Sequence, residues 1–184
     1  MNKLIGISGK KRSGKDTFAK ILQRSLYEKY ETKSFANNLK RICGIITGLP
    51  EYYFFDDNYK PYYLEDWGMS VRQMLQILGT ESLRDNFDND IWIKSLMSTY
   101  NDHSNWIITD VRFKGELDAI KRLGGIVVRI DASYEGYSIP DDQHQSEVDL
   151  DRSYSEFDHI ILNDSDYIGL ETKAKQLVKE WIDE

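Results

Sequence analysis

The chain is 184 residues long, 40% hydrophobic and 30% charged, with a formal net charge of −7 from 24 basic and 31 acidic residues. That length suits one domain, residues 1–184, and buries about 70% of the unfolded surface, enough for a core of its own. The acidic balance excludes a non-specific nucleic-acid binder, no apolar run approaches the ~20 residues of a membrane span, and the single cysteine, Cys43, excludes an internal disulfide and a cysteine metal site.

Met1-Asn2-Lys3 runs straight into the first predicted strand, Lys3–Ser8, which leaves no room for a signal peptide, so a cytoplasmic protein is expected. The next segment reads Gly9-Lys10-Lys11-Arg12-Ser13-Gly14-Lys15-Asp16-Thr17, and an amphipathic helix follows from Gly14 to about Lys29. Strand, glycine-rich loop, helix is the context of a P-loop. Gly9 and Gly14 let the backbone fold around an anion with its N–H groups inward, and the helix dipole points to the same place. Lys15 adds a charge that can reach the β- and γ-phosphates. A nucleoside triphosphate, ATP, is therefore the expected ligand, with Gly9, Lys11, Ser13, Gly14, Lys15, Asp16 and Thr17 as its candidate contacts. The position after the lysine normally carries a Mg²⁺-binding hydroxyl. Here it is Asp16, and the hydroxyl comes at Thr17. Asp16 reads as a residue beside Mg²⁺ and the transferred phosphoryl group, or as a carboxylate favoured in a helix's first turn.

Further along, Thr32–Phe35 reads as a short strand and Asn37–Thr47 as a helix, in which Cys43 is a small buried hydrophobe. Glu51–Gly68 fits neither period and is crowded with aromatics that could stack a base, pack over the sheet or meet a second subunit. Ser70–Leu78 and Asp90–Tyr100 read as helices, Trp106–Thr109 as a buried strand, Glu116–Leu123 as a helix ended by Gly124-Gly125, and Ile126–Ile130 as a strand. Asp131–Asp151 is polar and irregular; His159–Leu162 is the last strand and Gly169–Ile182 the closing helix. This alternation predicts an α/β fold, a five-stranded parallel sheet flanked by helices.

In such a sheet ligands bind beyond the carboxyl ends of the strands. Asp110 follows the Trp106–Thr109 strand, in the Walker-B-type position for Mg²⁺, and Arg112 lies within reach of a phosphate; a cap and a mutual ion pair are the plainer alternatives. On the Ser70–Leu78 helix, Arg72 and Gln76 share a face. Arg84 follows the Gly79-Thr80 break and Trp92 comes soon after, a set that can clamp a phosphate and read a base edge.

Four segments occur in this order: the Gly9–Thr17 loop; Leu75-Gln76-Ile77-Leu78-Gly79-Thr80-Glu81 with Arg84; Trp106–Phe113 (Trp-Ile-Ile-Thr-Asp-Val-Arg-Phe); and His144-Gln145-Ser146-Glu147. Together they resemble the bacteriophage deoxynucleoside monophosphate kinases over nearly the whole chain. The resemblance implies an adenylate-kinase-like P-loop fold with an acceptor-nucleotide region at about 37–100 and a lid at about 131–151. It implies transfer of the ATP γ-phosphoryl group to a deoxynucleoside 5′-monophosphate in the cytoplasm, of the host if phage-encoded. Lys15, Asp16, Arg112 and Arg129 would serve catalysis, Asp16 and Asp110 the metal, and Arg72, Gln76, Arg84 and Trp92 the acceptor. Partners would be small molecules, with no direct nucleic acid and no membrane, and the aromatics from Tyr52 to Trp67 would suit a homodimer interface. Ser133–Leu150 contains no Lys or Arg, so the lid's cationic work falls to Arg129 and Arg152, or closure serves to exclude water. The loop also looks like that of animal-type phosphomevalonate kinase, dephospho-coenzyme A kinase shares the architecture, and a non-catalytic ATP switch is the rival of another class.

Overall fold

A computed structural model describes residues 4–101, 103–138 and 144–183, with the backbone alone at 182 and 183. Lys3, Pro140 and the centre of the expected lid, residues 139–143, lie outside the described residues. In chain order the elements are β1 (Leu4–Gly9), α1 (Lys15–Ser25), β2 (Glu31–Lys33), α2 (Asn37–Thr47), α3 (Tyr52–Phe55), β3 (Tyr63–Leu64), β4 (Met69–Ser70), α4 (Val71–Gln76), α5 (Ile91–Met97), β5 (Trp106–Val111), α6 (Lys114–Arg122), β6 (Ile126–Ala132), α7 (Gln145–Val148), β7 (His159–Asn163) and α8 (Tyr167–Asp183). They divide into two compact units, Met1–Ser34 with Asn101–Glu184, and Phe35–Tyr100.

The first unit holds a five-stranded sheet in the order β2-β5-β1-β6-β7, every neighbour parallel. Strand alternation sorts its faces. Ile5 and Ile7 of β1 pack with Phe18, Ile21 and Leu22 of α1 and with Leu170, Ala174 and Leu177 of α8. Gly6 faces the other way, where a Cβ would come 2.6 Å from Ile120 of α6. Helices thus cover both faces of the sheet's centre, where β1 and β5 read as apolar runs, while at the edges Ile160 and Leu162 of β7 and Glu31 and Thr32 of β2 are exposed.

Of the boundaries that differ from expectation, those of α1 and β5 have local reasons. Helix α1 stops at Ser25, whose hydroxyl donates to the Ile21 carbonyl at 2.9 Å, and Leu26 is extended. Strand β5 continues two residues beyond Thr109, because its pairing with β1 shifts register between Gly6 and Ser8 and brings Val111 opposite Ser8. Asp110 is therefore a strand residue and Arg112 the first residue after the strand.

In the second unit, α2 starts and ends where the sequence predicts. It stops at Gly48, which takes the left-handed backbone of a helix C-terminus. Burial of Cys43 pushes its thiol up to about 11, as expected of a packed, unreactive cysteine. Much of the aromatic segment packs on itself: Tyr53 stacks on Tyr52 at 4.7 Å and meets Tyr59 and Tyr62 at 4.8 and 5.1 Å. Ser70 and Gln73 form a capping box at the start of α4. After Gln76 the chain does not break at Gly79 but widens into a π-turn over Ile77–Ser82, a feature often found at functional sites. Among the described residues no helix is long and apolar enough to cross a membrane.

Candidate active site

The loop between β1 and α1 is shaped by what its glycines leave out. A Cβ on Gly9 would lie 2.4 Å from Ser13 Oγ and 2.7 Å from the Ile130 carbonyl; one on Gly14, at φ +91°, would lie 2.5 Å from Asn163 Nδ2. Arg12 takes φ 63°, the only non-glycine residue among those described to do so, a strain of the kind that clusters at ligand clamps. Three hydrogen bonds hold the loop: Ser13 N–H donates to the Lys10 carbonyl at 3.1 Å, Asn163 Nδ2 to the Ser13 carbonyl at 3.0 Å, and the Tyr134 hydroxyl to the Arg12 carbonyl at 2.7 Å. Ser13 is fully buried against Gly9, and among the described residues its hydroxyl has no partner, an orphan of the kind that marks a strained loop. Lys15 opens α1 with a side chain 13% exposed, and Asp16, 66% exposed, lies 3.8 Å from its ammonium.

Asn163 is the only side chain of β7 to reach this loop among the hydrogen bonds described, and its removal would orphan the Ser13 carbonyl. Asn163→Ala is expected to cost about 1–3 kcal/mol. That is about 2–4 °C of melting temperature per kcal/mol, and the ATP KM should rise more than kcat falls. A thermal melt with and without ATP analogue checks it.

At the end of β5, Asp110 Oδ2 accepts from the Ser34 hydroxyl at 2.6 Å. Arg112 is held at both ends. Its backbone N–H donates to Glu116 Oε2 at 2.8 Å, and its Nη1 donates to Glu147 Oε1. Burial works against the Arg112 charge, but Glu147, Asp110 and Glu116 outweigh it and hold the guanidinium above its ordinary pKa. The ion pair of Arg112 is thus with Glu147.

Arg129 is buried and enclosed by acids and aromatic rings. Its side chain is 4% exposed, with Nε 3.0 Å from Asp131 Oδ1 and Nη2 3.7 Å from Asp151 Oδ1. Nη1 donates to Ser8 Oγ at 3.3 Å, and Tyr154 and Phe157 lie 5.5 and 5.7 Å from the guanidinium carbon. The guanidinium thus has every nitrogen engaged and aromatic rings beside it, at the middle of β6, an interior strand that runs on to Ala132 where the sequence predicts an end at Ile130. Lys10 reaches the same acidic turn, donating to the Glu147 carbonyl and to Asp151 Oδ2 at 2.6 Å. His144 caps α7, its Nδ1 accepting from Ser146 N–H at 3.2 Å.

In the second unit, Arg72 and Gln76 lie one turn apart on α4, half-buried. Arg84 is 6% exposed. Trp92 is 5% exposed, and its indole N–H donates to the Gly79 carbonyl at 2.8 Å. That placement makes the indole a support for the π-turn.

A profile of the family described as deoxynucleotide monophosphate kinase matches residues 55–174. A protein of Acanthamoeba polyphaga mimivirus carrying the same family description is 36% identical over a 176-residue alignment, which covers 87% of this chain and 88% of that protein. The chain belongs to the deoxynucleotide monophosphate kinase family. The family member from Enterobacteria phage T4 is 30% identical over 115 residues, covering 60% of this chain and 46% of the T4 protein. Among solved structures, dephospho-CoA kinase from Campylobacter jejuni matches with a TM-score of 0.56 and 16% identity over 98% of this chain and 97% of its own. That likeness is one of fold, a P-loop kinase sheet with flanking helices.

For this deoxynucleotide monophosphate kinase, the local motif located the loop and the strand-end aspartate but not what holds them. Ser34, Asn163, Glu116 and Tyr134 were not picked out by sequence. Each is a lone polar residue, and only Glu116, four residues from Arg112, had a local signal: an acid at the third position of a helix start.

Proposed function

We infer that the chain transfers the γ-phosphoryl group of ATP to a deoxynucleoside 5′-monophosphate, yielding the diphosphate. The observation that carries the donor site is a loop whose glycines leave no room for side chains, leading into the N-terminus of α1 at Lys15. Family membership carries the acceptor, and the fold-level likeness to dephospho-CoA kinase gives no ground for preferring a coenzyme. Phosphoryl transfer needs alignment and positive charge more than covalent help. Lys15 meets the β- and γ-phosphates, Thr17 the α-phosphate, and Arg112 the migrating group.

Mg²⁺ takes one or two carboxylates and completes its shell with phosphate oxygens and water. Asp16, exposed in the first turn of α1, and Asp110, with one oxygen on Ser34, are hard donors of the right kind. Bound Mg²⁺ would neutralise charge on the donor phosphates.

Residues 35–100 contain the acceptor candidates Arg72, Gln76 and Arg84. Arg72→Ala is expected to raise the acceptor KM about 10–100-fold, the worth of a charged hydrogen bond, with the ATP KM within about twofold. Equal rises in both would remove Arg72 from the acceptor site. Exposed Tyr52, Tyr62, Tyr63 and Trp67, each 41–50% accessible, suit an interface between two copies. The substrates are small molecules with no nucleic acid or membrane involved, and the virus-encoded relatives support a reaction in a host cytoplasm.

The deciding experiment is ADP release from ATP and Mg²⁺ with each dNMP in turn. Acceptor-dependent ADP formation with at least one dNMP, and none with dephospho-coenzyme A, is the expected result. The reverse pattern, or ADP release independent of any acceptor, overturns it.

A further inference from the structure

The acidic turn that follows His144 carries no cation, yet it is stitched to the P-loop and to the β5–α6 junction. Glu147 accepts from Arg112 Nη1 through its carboxylate and from Lys10 Nζ through its carbonyl. Asp151 accepts from Lys10 at 2.6 Å. Asp149 Oδ2 accepts the backbone N–H of Lys114, in the first turn of α6, at 2.8 Å.

We propose that Glu147 is a positioning residue for phosphoryl transfer: its carboxylate orients the Arg112 guanidinium toward the migrating group, while its carbonyl fixes Lys10 at the flank of the P-loop. The inference rests on the role given to Arg112 above. Exposure sets the direction of the pair. The Glu147 side chain is 8% exposed and that of Arg112 33%, so the carboxylate is the more enclosed partner and the arginine side chain keeps part of its surface open. Arginine has five N–H donors, and the carboxylate on Nη1 leaves others for a phosphate. With Glu116 on the backbone of Arg112 and Glu147 on its tip, little rotamer freedom is left to lose when substrate arrives.

A competing account makes the acids stand-ins for phosphate, bound only until ATP displaces them. Asp149 argues against that account. It grips the backbone N–H of Lys114 in α6, a contact with no cation to hand over, so the turn is a fixed brace. The acid-rich segment thereby holds cations supplied by the loop and by β5 instead of bringing its own.

The test is a double-mutant cycle between Glu147→Gln and Arg112→Ala, with ATP-analogue binding measured by calorimetry on the same proteins. E147Q keeps the shape of Glu147 and its carbonyl bond to Lys10. It is expected to lower kcat at least about tenfold, with analogue affinity within about threefold of wild type. The double variant should be no more than about twofold slower than R112A alone, because both changes remove one action. Wild-type kcat in E147Q, losses that multiply, or tighter analogue binding with faster turnover would each overturn the proposal, the last in favour of the stand-in account. Should E147Q melt early, Glu147→Asp keeps the charge but retracts it by one methylene, and the same kcat loss and non-additivity are expected of it. A wild-type enzyme inactive on every dNMP would sink the functional reading and this inference together, whereas an active wild type with an unaffected E147Q sinks this inference alone.

Discussion

Lys15→Ala is expected to lower turnover by roughly 10³-fold while moving the melting temperature by only a few degrees. The two halves of that expectation have separate causes. Lys15 is the first residue of α1, its side chain 13% exposed. There its ammonium adds to the positive end of the helix at the point where the phosphates sit. Charge placed in advance at a reacting oxygen contributes about 10²–10³ in rate per donor, and a full cation on a phosphoryl group lies at the upper end. The loop's shape does not depend on this side chain. It is set by Gly9 and Gly14, by the Ser13–Lys10 turn, and by the Asn163 and Tyr134 bonds to loop carbonyls. Removing the ammonium thus deletes charge and leaves the cradle. Lys15→Arg should recover little, because a planar fork cannot replace a compact charge in so close a loop. Steady-state kcat with a coupled ADP assay, beside a thermal melt, checks both halves. A Lys15→Ala protein with near-normal kcat would mean that the polyphosphate lies elsewhere.

The sequence showed the donor loop clearly because every signal there is local. A run of apolar residues, glycines five apart and an amphipathic helix follow one another within 25 residues. Helix α2 was equally legible, its end set by one glycine. What stayed hidden depends on residues far apart in the chain. Ser34 and Asp110 are separated by 76 positions, Ser13 and Asn163 by 150, and Arg112 and Glu147 by 35. A lone serine or asparagine at a strand end has no periodicity to betray it. Ser34 was even assigned to a strand; β2 stops at Lys33, and its hydroxyl turns to Asp110. The surroundings of Arg129 were hidden for the same reason. The sequence places it next to the end of a strand closing at Ile130, whereas β6 runs on to Ala132 with Arg129 at its middle, and Asp131, Asp151, Tyr154 and Phe157 surround it only in three dimensions. The π-turn at Ile77–Ser82 escaped because Gly79-Thr80 carries the signature of a helix stop. The indole of Trp92, bonded to the Gly79 carbonyl, helps to hold the wider turn.

Arg112→Ala is expected to lower kcat by about 10³–10⁵-fold, the range for losing an arginine on a transferring phosphoryl group. Unlike Lys15→Ala it should also destabilise the protein, since it leaves the 8%-exposed Glu147 carboxylate without its guanidinium. Losing one partner of a fully buried pair costs about 3–5 kcal/mol. Arg112 is 33% exposed, so water screens part of the field and about 1–3 kcal/mol is the fitting range here. The two effects can be separated with Arg112→Lys. A lysine restores a cation for Glu147, and the melting temperature should return most of the way to wild type. It is a single point charge, though, without the second row of N–H donors that would let it hold the carboxylate and a phosphate at once. Turnover should therefore stay depressed at least about 10²-fold in Arg112→Lys while stability recovers. Recovery of both together would reduce Arg112 to the electrostatic partner of a buried acid, and the migrating phosphoryl group would then need another cation.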